Sequence, residues 1–147
     1  MAYKATEIAK YIVSYCSEKH QPVSNLKLQK MLYYAWIEYY KKTGKSLFYD
    51  EICAWQLGPV VPEVYYEFCP YAGMPISRTY GITLSSGDYP VVDETINTYL
   101  PIPASTLVSN SHRPGGPWDT IYRNGAGNRN VIPFSLIKDM ECSDYAQ

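Results

Sequence analysis

Apolar residues recur at helical spacing from the start of the chain. Over residues 4–18, Ala5, Ile8, Ala9, Ile12, Val13 and Cys16 share one face, and Lys4, Glu7, Lys10, Ser14 and Glu18 lie off it. The pattern breaks at His20-Gln21-Pro22-Val23, and Ser24 or Asn25 is placed to cap a second helix over about 25–42. That helix is apolar nearly all round, which predicts a central position. It keeps one polar seam of Lys27, Lys30, Tyr34, Glu38 and Lys41/Lys42, at spacings of three and four. Gly44 ends it.

The apolar run from Ile52 to Leu57 predicts a strand over 51–57, turned sharply at Gly58-Pro59. A short helix over 60–68 follows, with Pro62 suited to its first turn. Residues 69–90 carry Pro70, Gly73, Pro75, Gly81, Gly87 and Pro90, and predict turns with room for a short strand at 76–80. Helices are expected over 91–100 and 104–111, and one starting at Pro117 with Trp118, Ile121 and Tyr122 on its apolar side. A loop at 124–128 and an extended piece at Val131 and Ile132 lead to a last helix over 135–142, with Leu136, Ile137 and Met140 inward. The expected fold class is α+β, mostly α-helical, with a small β element around residues 51–57. A single domain over 1–147 is expected.

Composition adds two things. Hydrophobic residues make up 46% and charged residues 18%, a globular and not a disordered balance. Tyrosine occurs 16 times against three Phe and three Trp, so many apolar rings with polar tips should sit at element edges or contact surfaces. The net charge of −1 hides an asymmetry: eight Lys and three Glu in 1–49 give +5, while five basic and eleven acidic residues in 50–147 give −6. The two halves either steer a charged partner or neutralise each other internally. The basic front is too mild, and too diluted by Tyr, to read as a nucleic-acid surface.

Catalytic or metal chemistry finds little support. The four cysteines (16, 53, 69 and 142) form no Cys-x-x-Cys pair. Cys16 and Cys53 read as small buried hydrophobes. With no secretory pattern and no long apolar run, free thiols point to a cytoplasmic protein without membrane contact. A Cys–His nucleophile would need Cys53 or Cys69 opposite His112, and nothing local supports the pairing. His112 reads better as the C-terminal cap of the 104–111 helix, hydrogen-bonded to the loop after it. Gly115-Gly116 and Gly125-Ala126-Gly127 lack the strand and the Lys-Ser/Thr of a phosphate loop, and no carboxylate pair suits acid–base work. No metal or cofactor is expected. Trp55 and Trp118 are expected in the core and not as ligand platforms.

Four pieces, in this order and spacing, resemble a known family. They are the amphipathic first helix, Leu26-Lys27-Leu28-Gln29-Lys30-Met31-Leu32-Tyr33-Tyr34-Ala35, Ala54-Trp55-Gln56-Leu57-Gly58-Pro59-Val60-Val61-Pro62-Glu63-Val64-Tyr65, and Ser111-His112 with Pro117-Trp118. Together they are similar to the Panacea domain, found on phages, prophages and mobile elements, whose members include GepA-like phage-associated proteins and SocA-like antitoxins. The two central motifs are fairly specific. The chain departs from the family at Arg113-Pro-Gly-Gly-Pro117, where family loops are often more polar.

The resemblance implies a non-enzymatic, protein-binding antitoxin that neutralises a cognate protein toxin by direct contact, or with a host protease where it acts as a proteolytic adaptor. It implies that Leu28, Gln29, Lys30, Tyr33, Trp55, Gly58, Pro59, His112, Pro117 and Trp118 define the fold and not the toxin site. Two other readings stand beside it. One is a phage-encoded interaction module with a non-toxin partner; the other is a small Cys–His hydrolase. The seam Lys27, Lys30, Tyr34 and Glu38 is either a solvated face or part of the partner-facing surface.

Overall fold

The computed structural model describes residues 2–142. Helix α1 (Ala5–Glu18) buries the predicted face, and its first turn is fixed by the Lys4 N–H donating to the Glu7 carboxylate at 2.9 Å. Helix α2 (Asn25–Thr43) starts where Ser24 Oγ accepts the Lys27 N–H at 3.3 Å. It ends at Gly44, whose φ of 71° lets its N–H reach the Tyr40 carbonyl at 2.8 Å. Residues on all sides of α2 are buried, among them Leu28, Met31, Leu32 and Trp36. Five helices and a hairpin pack around it, so it is the axis of the molecule.

The hairpin differs from expectation. Strand β1 (Cys53–Trp55) pairs antiparallel with β2 (Gly58–Val60), with Trp55 opposite Gly58 and Cys53 opposite Val60. The turn therefore falls at Gln56-Leu57, and Gly58-Pro59 belongs to the returning strand instead of forming the corner. The apolar run hid the turn because Leu57 is a turn residue that is 52% exposed. Pro59 lacks an N–H and is tolerated because β2 is an edge strand. The extended piece at 131–132 flanks β1 on its other side: Ala54 N–H donates to the Asn130 carbonyl at 2.8 Å and Ile132 N–H to the Ile52 carbonyl at 2.7 Å.

Helix α3 (Pro62–Phe68) follows β2, with proline in its first turn. Residues 76–80 form no strand. Their backbone groups bond to α1 and the α1–α2 connection instead: Ile76 N–H to the Val23 carbonyl at 2.8 Å, Arg78 N–H to Ser17 Oγ at 3.1 Å and Tyr80 N–H to Ser14 Oγ at 2.7 Å. Serine hydroxyls on a helix satisfy what a neighbouring strand would have satisfied.

Helices α4 (Tyr89–Tyr99), α5 (Ala104–Ser111), α6 (Pro117–Tyr122) and α7 (Phe134–Glu141) complete the described chain. The fold is a mostly helical α+β arrangement with a two-stranded sheet, and one buried apolar cluster runs from Ala5 to Cys142. The tyrosines sit as expected. Tyr3, Tyr11, Tyr34, Tyr89 and Tyr99 are among those half-buried against that cluster. Tyr3 and Tyr39 donate to the Asp88 carboxylate at 2.6 and 3.0 Å, and Tyr11 to Asp93 at 2.5 Å. With Lys42–Glu94 at 3.2 Å, these contacts join the front of the chain to Asp88, which precedes α4, and to Asp93 and Glu94 within it. Of these contacts only Lys42–Glu94 pairs opposite charges from the two halves; the tyrosine hydroxyls satisfy Asp88 and Asp93 without neutralising the lysines.

Candidate functional site

Polar side chains inside α2 fix the hairpin and α3. Gln29 is 1% exposed; its carbonyl oxygen accepts the Val61 N–H at 2.9 Å, and its amide donates to Asn25 Oδ1 at 3.0 Å. The Asn25 amide in turn donates to the Tyr65 carbonyl at 3.2 Å. The next residue after Gln29, Lys30, is 0% exposed and donates through Nζ to the Pro59 carbonyl at 3.0 Å. Burial pulls its ammonium down to about 7. Gly58 makes this approach possible, since a Cβ there would lie 2.7 Å from both Lys30 Cε and Ser111 Oγ. Its φ of +115° also suits glycine.

His112 and Trp118 close the far side of this junction. Their rings stack 3.7 Å apart, Tyr122 stacks on Trp118 at 4.5 Å, and Trp118 Nε1 donates to the Trp55 carbonyl at 2.7 Å. His112 caps α5 as expected, but its ring is held by the backbone of Leu57 in the hairpin turn and not by the loop that follows it. Burial and the nearby Lys30 charge lower its pKa, with the Leu57 hydrogen bond opposing them. The imidazole is half-buried and stacked on the indole, and its Nε2 has no hydrogen-bond partner among the described residues.

Trp55 corrects the expectation of two core tryptophans: Trp118 is buried, whereas Trp55 is half-buried and forms a wall of a cleft of about 550 Å³. The cleft lies between the start of α2, the hairpin turn, α3 and the 128–129 loop. Tyr65 meets Trp55 edge-on at 4.9 Å, and the Arg129 guanidinium sits 4.2 Å from the Trp55 ring centroid. Leu57 and Val60 add apolar wall, and Asn25 and Gln29 add polar lining. Tyr66 packs edge-on to both aromatic rings and is 57% exposed. The sequence reading missed Arg129, Leu57 and the Tyr65-Tyr66 pair. No local signal marked them: Leu57 lies in an apolar run that reads as strand, and Arg129 reaches the cleft only through the pairing of 129–132 with β1.

The α2 seam is not an open stripe. Lys30 is fully enclosed and presents no surface to a partner. Lys27 is half-buried and donates through Nζ to the Leu100 carbonyl. Tyr34 stacks on Tyr99 at 4.7 Å, and burial followed by the Tyr99 phenol raises it to about 12. Glu38 lies 3.8 Å from Lys41 on the same helix. An amphipathic pattern cannot announce its cover: α4 lies over this seam because its own apolar face needs α2.

Among the described residues, no hydrogen bond joins His112 to Cys53 or Cys69. Burial pushes the Cys53 thiol up, away from a reactive thiolate, and the Cys69 thiol is spent on the Tyr66 carbonyl at 3.3 Å. No three His, Cys, Asp or Glu among the described residues form a metal-ligand group, and no helix there is long and apolar enough to cross a membrane.

The sequence matches the family described as "Antitoxin SocA-like, Panacea domain" over residues 28–119. It is 35% identical to antitoxin SocA of Caulobacter vibrioides (strain NA1000 / CB15N) over 153 residues, covering 92% of this chain and 80% of that protein. No solved structure matches. The matched residues open at Leu28 and close at Asp119, and so contain both the Gln29–Val61 and Lys30–Pro59 contacts and the Trp118 stack. The chain belongs to the SocA-like antitoxin family of Panacea-domain proteins.

Proposed function

We propose that this protein is the antitoxin of a toxin–antitoxin pair and that, as a single domain in the cytoplasm, it neutralises a protein toxin by direct contact and without catalysis. The observation that carries the reading is 35% identity to antitoxin SocA across 92% of the chain. The structure supports the non-catalytic part through the state of its chemistry-bearing groups. Lys30 and Gln29 are committed to internal hydrogen bonds, His112 is held by stacking on Trp118, and the buried cysteines are free thiols. What remains at the surface is suited to recognition. The aromatic-walled cleft is backed by the rigid Asn25–Gln29 network, which holds its walls in place before a partner arrives.

The test is rescue from toxicity. Each open reading frame flanking the gene is expressed from an inducible promoter, alone and with this protein. One should arrest growth alone and be neutralised on co-expression, and the two products should co-purify. Immunoblotting separates the two modes: direct neutralisation leaves the toxin level unchanged, while delivery to a host protease lowers it. A toxic flanking product that this protein neither binds nor neutralises refutes the proposal.

A further inference from the structure

The cleft has the make-up of a contact hot spot. Such spots concentrate Trp, Tyr and Arg in a partly desolvated pocket. Here Trp55 and Tyr65 form the walls, and Arg129 lies across Trp55. Among the described residues lining the cleft, Arg129 is the only charged one. It is exposed, and it pairs with no carboxylate among the described residues. Among the described residues its one side-chain hydrogen bond, from Nη1 to the Tyr66 hydroxyl, is long at 3.5 Å. A guanidinium has five N–H donors and binds carboxylates through paired hydrogen bonds, so most of this donor capacity is unused.

The surroundings favour a polypeptide over a small molecule. A volume of about 550 Å³ would suit either. However, apolar surface continues past the cleft: Tyr66 is 57% exposed, and Met74, one residue beyond the lining Gly73, is 67% exposed. A ligand confined to the cleft would leave these in water, whereas a chain segment crossing the rim would cover them.

We infer that the cleft receives a segment of the partner protein in which a carboxylate lies beside an aliphatic or aromatic side chain. The apolar side chain fills the space between Trp55, Leu57 and Tyr65, and the carboxylate meets Arg129. The identification of the partner as a toxin rests on the function proposed above, but the recognition chemistry does not.

Two arms test this separately. In the first, a random-peptide display library is panned on the intact protein. Peptides carrying Asp or Glu next to an apolar residue should be enriched, and Arg129→Glu and Leu57→Asp should each weaken the selected peptides by at least about tenfold. Both side chains are exposed, and Arg129 holds the hairpin through its backbone N–H to the Ala54 carbonyl, so both variants should keep the parent melting temperature. Arg129→Lys should restore part of the binding. Enrichment indifferent to Arg129, or displacement of the peptides by mononucleotides, overturns the inference. The second arm repeats the toxin rescue with the same two variants. Rescue by the wild type and its loss in both folded variants supports the inference. Undiminished rescue by both variants overturns it and leaves the antitoxin reading standing. Failure of the wild type to rescue overturns that reading, while the peptide arm still decides the cleft.

Discussion

Replacing Gly58 by alanine should be among the most damaging one-atom additions to this protein. The backbone there has φ +115°, outside the ordinary range of L-residues, and holding alanine in such a conformation costs about 1–3 kcal/mol. The new methyl would also lie 2.7 Å from Lys30 Cε and 2.7 Å from Ser111 Oγ. Neither neighbour is free to step aside. Moving Lys30 strips the hydrogen bond that its buried Nζ makes to Pro59, and turning Ser111 gives up its 2.8 Å bond to the Val108 carbonyl. Overpacking of this kind costs about 1–3 kcal/mol. The sum is about 2–6 kcal/mol, and at roughly 3 °C per kcal/mol for a domain of this size the melting temperature should fall by about 6–18 °C. Gly44→Ala is the control. Its φ is also positive, at +71°, but a Cβ there meets nothing within 4 Å. That substitution carries only the backbone term, about 1–2 kcal/mol. Circular-dichroism melts of both variants isolate the steric part as their difference. Gly58→Ala/Ser111→Ala should be less destabilised than the two single effects added together, because removing the hydroxyl opens space. A Gly58→Ala variant that melts no lower than Gly44→Ala would refute the reasoning.

Gln29→Leu should lower the urea midpoint at unchanged slope, with a loss of about 1–3 kcal/mol, because the Val61 N–H is left buried without an acceptor. Lys30 should make stability rise with pH. Its folded pKa is about 7 against an ordinary 10.5, so between these values the unfolded chain binds a proton that the folded chain does not. Stability therefore climbs across that window and is insensitive to this group below it. The climb should be absent in Lys30→Met, and an identical pH profile for the two proteins would rule it out. Acrylamide should quench Trp55 and spare Trp36 and Trp118, which are 0% and 7% exposed; single-tryptophan variants read this directly. Trp118→Ala should cost about 3–5 kcal/mol by denaturant titration, since it removes the indole between His112 and Tyr122 along with the bond to the Trp55 carbonyl.

The helices were legible in the sequence because their signals are local. The period of α1, the Ser24 cap and Gly44 stop of α2, and Pro117 at the head of α6 act within one or two turns. The hairpin was misplaced because Leu57 reads as strand by composition, and only pairing reveals that it turns. The strand expected at 76–80 was lost for the same reason: its partners are the hydroxyls of Ser14 and Ser17, about sixty positions away. Within the seam, Lys30 departs from expectation in another way. Lys30 has the spacing of a surface residue on α2, and nothing within reach of a helical period says that Pro59 will come to meet it. The cleft was least legible. Trp55, Tyr65 and Arg129 come from three separate stretches, and their meeting depends on the hairpin and on the pairing of 129–132 with β1.

Five of the residues that carry the family resemblance share a task. Gln29 holds the start of α3, Lys30 holds β2, Gly58 leaves room for Lys30, and His112 and Trp118 brace the hairpin turn and β1 from behind. Each is a long-range contact between α2, the hairpin and the α5–α6 corner, and each is buried or mostly so. Substitution at any of them would move the hairpin before it altered any surface. The side chains facing outward from the same hairpin and its neighbours are under no such constraint. Leu57, Tyr66 and Arg129 are exposed, and the core would stand without their outer atoms. A scaffold built this way separates the positions that fix the cleft from the positions that decide what enters it. Its signature can therefore identify the family while saying little about the partner, and a change of partner would need changes only at the rim.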